Sequence, residues 1–345
     1  MADTRKLDMD RLLLIAGGHS AFQLLWAGVE LGTFDHLSRE PGLTLPQVAD
    51  RMTLQLYPCR VLMIGLTALG LVRKQGDQYF NAELTEQMLV KGKPGYAAPI
   101  LGWQAEIVYP GMGEFVASLK QSTNVGLTRF PGNGQTLYER LASHPAKERI
   151  FQSAMSALSR QAMGHLLDAY DFGRFSHIVD AGGGEATNAI ALAQRYPSLK
   201  VTVYDSETVC ALAQKKIEAS GMSDRIFTWA GNFLSDPFPP GVDAILFCHI
   251  FTIWSMPRNL EILRRCRQAL PQGGATILFN MMADDDDTGP LSTALGSPYF
   301  LAIATGEGML HAWKDYEQAM REAGFSKIER VDRLPLNHGL LAAFR

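Results

Sequence analysis

His177-Ile178-Val179-Asp180-Ala181-Gly182-Gly183-Gly184-Glu185-Ala186 decides the fold. Residues 177–181 read as an apolar strand ending in an acid, three glycines make a tight turn, and ATNAIALAQRY carries helical spacing. The same alternation continues outward. Strands are expected at 200–205, 225–231, 242–250 and 273–282, with helices after 205, over 258–270 and over WKDYEQAMREAGF. KIERVDRL and GLLAAF close the chain as two strands joined by PLNH, a hairpin that makes the last strand antiparallel. Strand and helix in alternation predict a doubly wound, mostly parallel α/β sheet.

The glycine turn also carries chemistry. Glycines there let a ligand approach the backbone, and the helix that follows offers its N-terminal N–H groups. A dinucleotide fingerprint needs a sixth-position glycine, where this chain has Thr187. Asp205 ends the second strand, placed to accept hydrogen bonds from a ribose diol. Gly231-Asn232-Phe233 ends the third, an amide and a ring for an adenine. With Asp180, Gly182 and Gly184 these residues line up at successive strand ends, where such sheets bind ligands. A nucleoside without a pyrophosphate fits better than a dinucleotide.

Before this sheet the pattern is helical. The run 21–37 has helical spacing, LTLPQVADRM starts with Thr44 as N-cap and Pro46 in its first turn, and 58–72 is a third helix. Two short strands around Gly76-Asp77 complete a winged-helix pattern. The helix at 58–72 has Arg60 among apolar residues, which favours an interface over DNA readout. Residues 100–170 are helical and rich in aromatics and methionine. Most of these pack a bridge, while Trp103, Phe151 and Met155 are candidates for an apolar acceptor wall. The division expected is 1–100 and 101–345.

Composition agrees. The 345 residues carry a formal net charge of −3, without the basic surplus of a nucleic-acid binder. Cys59, Cys210, Cys248 and Cys266 are scattered, pointing to reduced thiols in a cytoplasmic protein. The first twenty residues show no secretory signal, and no apolar run has transmembrane length. Asp284 to Asp287 read as a solvated loop, with no metal expected.

LGTFDHL, LTLPQVADRM, LTALGLV, LYERLASHPAKERIFQSAM, VDAGGGEA, DRIFTWAGNF, ILRRCRQALPQGG and DYEQAMREAGF resemble the plant and bacterial small-molecule O-methyltransferases. That family uses S-adenosylmethionine and dimerises through an N-terminal winged-helix domain. The resemblance implies a class I methyltransferase, Rossmann-like, with a seven-stranded sheet. It also puts Gly182, Asp205, Asn232, Phe233 and Cys248 at cofactor-contacting positions, with Asn232 replacing an acid and Cys248 a lysine.

The catalytic segment departs from the family. Its His-x-x-His-Asp-Trp becomes His249-Ile250-Phe251-Thr252-Ile253-Trp254, so Thr252 stands where the general base belongs. The flanking acids fall on Asn280 and Leu310. A positioned base contributes about 10²–10⁴ in rate, whereas alignment supplies about 7–11 kcal/mol of the barrier. Losing the base therefore changes the chemistry more readily than it abolishes it. His249 and His311 are the candidates to deprotonate a phenol whose ortho carbon faces the methyl group, and Met155, Trp254 and Phe300 would wall an aromatic acceptor. The reading is methylation of a small aromatic, phenolic natural-product intermediate, leaning to ring carbon. O-methylation by proximity, and cyclisation or hydroxylation on the same scaffold, stay open. A ligand-sensing winged-helix regulator is opposed by the poorly basic helix at 58–72.

Overall fold

The computed structural model describes residues 7–345, so the first six residues of the expected leaderless N-terminus lie outside the described residues. Contacts divide the chain into two compact units, one ending at Ala105 and one starting at Glu106.

The first unit is mostly helical. It comprises α1 (Met9–Ala16), α2 (Gly18–Glu30), α3 (Thr33–Arg39), β1 (Leu43–Thr44), α4 (Leu45–Arg51), α5 (Leu56–Ala68), β2 (Val72–Gln75), β3 (Gln78–Asn81), α6 (Glu83–Met88) and α7 (Ala98–Trp103). The helix expected over 21–37 breaks in two, because Gly32 takes a left-handed φ of 66°. Thr44 and Gln47 form a capping box at the start of α4. The expected hairpin is β2–β3, and β1 pairs with β3 as a third strand that two residues could not announce. Phe34, Leu37, Val48, Cys59, Met63 and Leu66 form the core.

The second unit begins with short helical segments that lead to α8 (Pro145–Ala169). Then follow β4 (His177–Ala181), α9 (Thr187–Arg195), β5 (Lys200–Asp205), α10 (Glu207–Ser220), β6 (Ile226–Ala230), β7 (Ala244–Cys248), α11 (Met256–Ala269), β8 (Ala275–Met281), α12 (Leu291–Tyr299), α13 (Trp313–Glu322), β9 (Lys327–Val331) and β10 (His338–Phe344). The seven strands lie in the order β6-β5-β4-β7-β8-β10-β9. Only β10 runs against the rest, inserted between β8 and β9.

Both faces of the sheet are covered, which is why its strands are almost continuously apolar. Ala162, Met163 and Leu166 of α8 pack with α9 and α10 against Ile178, Val203, Leu246, Phe279 and Leu340. On the other face Ile262, Leu263 and Cys266 of α11 and Tyr316 and Met320 of α13 pack against Val179, Ile245, Leu278 and Leu341. The strand order reverses between β4 and β7, whose carboxyl ends therefore frame a crevice. Among the described residues, no single helix is long and apolar enough to cross a membrane.

Candidate active site

The glycine turn after β4 follows from its backbone angles. Gly182 and Gly184 take φ of 71° and 57°, values an L side chain adopts only at a cost. A Cβ on Gly182 would run into the Ile250 side chain, and one on Gly183 would sit 2.7 Å from Asp180 Oδ2. The turn thus presents bare backbone. Asp180 beneath it is fully buried, and neither carboxylate oxygen has a hydrogen-bond partner. Burial lifts its pKa to about 7.

Asp205 ties the next strand end to this turn. Its Oδ2 accepts from the Gly184 N–H at 3.0 Å and its Oδ1 from the Ser206 N–H at 2.8 Å. Burial pushes its pKa upward against those bonds. Gly231 donates its N–H to the Asp205 carbonyl at 3.0 Å, and a Cβ there would press 3.0 Å from the Tyr204 ring. Asn232 spends its side-chain oxygen on the Leu234 N–H at 3.0 Å, an Asx-type turn. Phe233 stands edge-on to Tyr204 and Phe247 and reaches within 3.9 Å of a Cβ position on Gly182. Cys248 is buried, its thiol pKa driven well up by burial and then by the Asp180 charge.

The structure thus brings Asp180, Gly182, Gly184, Asp205, Gly231, Phe233 and Cys248 to one end of the sheet. A buried unpartnered carboxyl, a cradle that a Cβ would fill and a strand-end acid fit a nucleoside that also carries a cation.

Helix α8 lies over this end with two stripes. Glu148, Gln152 and Ser156 repeat every four residues, one face of a helix. Glu148 feels the Asp205 charge, Gln152 Oε1 sits 3.6 Å from a Cβ position on Gly184, and Ser156 donates to Glu185 Oε2 at 2.9 Å. Sequence reasoning missed these three, although their spacing beside VDAGGGEA was available. Phe151 and Met155 form the adjacent stripe, both half-buried, with Phe151 edge-on to Tyr138. Phe300 is half-buried beside Tyr299. Trp254 has its indole N–H buried without a partner and the Arg258 guanidinium 5.2 Å above its ring. Trp103 belongs to the first unit.

The candidate bases separate. His249 leaves β7 with a left-handed φ of 60°, strained for a residue with a side chain. Its Nε2 lies 2.8 Å from Nε2 of His338, the first residue of β10, and His338 stacks on Phe279 at 4.9 Å. Burial and then His338 depress the His249 pKa to about 3, and burial lowers that of His338 as well. Sequence reasoning passed over His338 as part of a link. Only the sheet order, which sets β10 beside β8, reveals it.

His311 contacts neither of these rings. Its Nε2–H donates to the Trp254 carbonyl at 3.0 Å and its ring stands edge-on to Tyr316 on the opposite face of the sheet. Thr252 is buried, and its hydroxyl donates to the His249 carbonyl at 3.1 Å. Asn280 is fully buried with both amide atoms unpartnered. Asp284 to Asp287 are exposed, with Asp285 accepting the Lys314 N–H. Among the described residues no group of three or more His, Cys, Asp or Glu is placed to hold a metal.

An O-methyltransferase domain model matches residues 116–326, and an O-methyltransferase dimerisation domain model matches 13–91. The chain is 37% identical to L-tyrosine C(3)-methyltransferase of Streptomyces lavendulae over 328 residues, 94% of this chain and 90% of that one. It is 31% identical to 3-hydroxy-5-methyl-1-naphthoate 3-O-methyltransferase of Streptomyces sahachiroi, covering 92% and 89%. The crystal structure of the S-adenosylmethionine-dependent methyltransferase SibL in its apo form superposes with a TM-score of 0.84 at 36% identity, covering 98% of this chain and 99% of that one. Human N-acetylserotonin methyltransferase in complex with S-adenosylmethionine shares the fold, with a TM-score of 0.88 at 23% identity over 100% and 99%. The glycine cradle, the strand-end acid and both matching domain models agree: the chain belongs to the O-methyltransferase family and is an S-adenosylmethionine-dependent methyltransferase.

Proposed function

We propose that the enzyme methylates a ring carbon ortho to the hydroxyl of a phenolic amino acid of the tyrosine type, with His249 as the base. The observation that carries this is the exchange of the base: the family's basic histidine has become the Thr252 hydroxyl, which is spent on the carbonyl of His249.

S-adenosylmethionine, when bound, supplies a sulfonium methyl carbon as the electrophile. A phenol, whose pKa near 10 is poorly matched to a weak imidazole, gives up its proton only as the bond to the methyl carbon forms. As an ortho carbon forms its new C–C bond with a ring π pair, positive charge moves onto the phenol oxygen and its O–H becomes strongly acidic. A weak base then suffices. His249 takes that proton, the methylated carbon afterwards sheds its own hydrogen, and the oxygen is reprotonated, so the net release is one proton. Asp180, Asp205 and the glycine turn hold the nucleoside, while Phe151 and Met155 supply apolar wall. The 37% identity to a relative named for tyrosine C(3)-methylation supports this choice of acceptor.

The enzyme works as a homodimer through its first unit. Leu13 and Ile15 of α1 and Leu56, Tyr57, Val61 and Ile64 of α5 are large apolar side chains left exposed within the segment that matches the dimerisation model.

Incubation with cofactor carrying a ¹³C methyl group, against tyrosine and a panel of phenols, tests the assignment. A ring-methyl resonance is expected. A methoxy resonance overturns the carbon assignment, and S-adenosylhomocysteine formed with non-amino-acid phenols but not with tyrosine overturns the acceptor class.

A further inference from the structure

The pair of imidazoles at the ends of β7 and β10 constrains its own protons. His338 Nδ1 lies 3.0 Å from the Pro335 carbonyl, which only accepts, so Nδ1 carries the hydrogen. A neutral ring then leaves His338 Nε2 bare. His249 Nε2, 2.8 Å away, must in turn be the donor. The remaining nitrogen of His249, Nδ1, is left with a lone pair, and no protein donor is described for it.

We propose that His338 is the positioning residue of the base: it fixes His249 as the Nε2–H tautomer and thereby makes Nδ1 the proton-accepting atom. This rests on His249 being the base in the function proposed above. When Nδ1 takes a proton, the imidazolium keeps its Nε2–H bond to His338, so the positive charge meets a fixed acceptor. The arrangement parallels a catalytic triad in which a neutral imidazole, backed by a carbonyl, takes the place of the orienting carboxylate.

The surroundings hold this geometry in place. The His338 ring stacks on Phe279, with 17° between the planes. The Pro335 carbonyl is presented by a turn in which Leu336 and Asn337 both take a φ of 58°. That turn is pinned by the Asn337 amide on Ser292 at 2.8 Å and by the Met282 N–H on the Asn337 carbonyl at 3.0 Å. Together with His249, three non-glycine residues stand in left-handed conformations around one hydrogen-bonded pair, a concentration of strain typical of functional sites. His165 of α8 faces His338 closely enough to act on it electrostatically, and Cys248, Asp180, Asp205 and Glu148 are further titratable groups at this end of the sheet.

Two-bond ¹H–¹⁵N spectra of histidine-labelled enzyme, without cofactor or acceptor, read the tautomer directly. His249 is expected as Nε2–H. His338→Leu keeps the packing on Phe279 but removes the acceptor, so the His249 signal should shift towards a tautomer mixture and kcat should fall on the order of 100-fold with little change in KM. His338→Gln, whose Oε1 accepts in place of Nε2, should restore the tautomer and much of kcat. An Nδ1–H tautomer in the wild type, or an unchanged His249 signal in folded His338→Leu, overturns the proposal. A shifted tautomer with unchanged turnover supports the positioning role and instead overturns His249 as the base. Wild-type tautomer signals combined with a large kcat loss in His249→Gln support both.

Discussion

The Thr252 hydroxyl donates to the His249 carbonyl at 3.1 Å, so the residue standing at the family's base position holds the turn that presents another histidine. Left-handed backbone at His249 turns its carbonyl away from the β ladder, and the buried hydroxyl satisfies it. Thr252→Val is nearly isosteric and removes only this bond. It should cost about 1–3 kcal/mol, read as a lower urea midpoint at unchanged slope, while leaving cofactor affinity intact. Thr252→Ser should recover most of the loss. Turnover lost at full stability would instead place Thr252 in the chemistry.

Asp180 makes the free enzyme sensitive to pH. Its folded pKa of about 7 lies above the ordinary carboxylate value because the carboxyl is fully buried. Between about pH 4 and pH 7 the folded state therefore binds more protons than the unfolded one, and stability falls as pH rises through that window. The full difference is on the order of 4 kcal/mol. Asp180→Asn carries no charge at any pH and should flatten the dependence. Thermal unfolding of the cofactor-free protein at pH 5, 6, 7 and 8 checks this. Parallel curves for the two proteins would contradict it.

Asp205 grips the glycine turn and the start of α10 through two backbone N–H bonds while facing the nucleoside site. Bonds to a charged acceptor contribute about 1.5–3 kcal/mol each. Asp205→Asn keeps the shape but weakens the acceptor and turns one oxygen into a donor facing an N–H. Its affinity for S-adenosylmethionine should drop about 10- to 100-fold, measured calorimetrically, with secondary structure preserved by circular dichroism. An unchanged affinity would remove Asp205 from the cofactor site.

The catalytic fold was legible because its signals are local. Apolar strands, glycine turns and amphipathic helices alternate in the order in which they stack, and Asp180, Asp205 and Phe233 mark successive strand ends. The helix break at Gly32 and the two-residue strand β1 were not, since one depends on a single left-handed residue and the other on pairing with β3. The His249–His338 pair joins residues 89 apart in the chain, brought together by β8 and the return of β10. No spacing rule carries such a contact. His311 illustrates the converse, attractive in sequence yet spent on the Trp254 carbonyl.

The exposed faces of α1 and α5 give the last prediction. Leu13 is 61% and Ile64 57% exposed, so each holds a large apolar side chain in a solvated position. Burying such a side chain against a second copy contributes about 1.5–3 kcal/mol, whereas burying an unpaired carboxylate costs several. The double variant Leu13→Glu/Ile64→Glu should therefore run as a folded monomer by size-exclusion chromatography with light scattering at micromolar concentration, where the unaltered chain is expected to run as the proposed dimer. Because both side chains point into solvent within the chain, unfolding free energies of the isolated monomer should stay within about 0.5 kcal/mol of one another for substitutions at either site. A variant that remains dimeric would move the interface to another face.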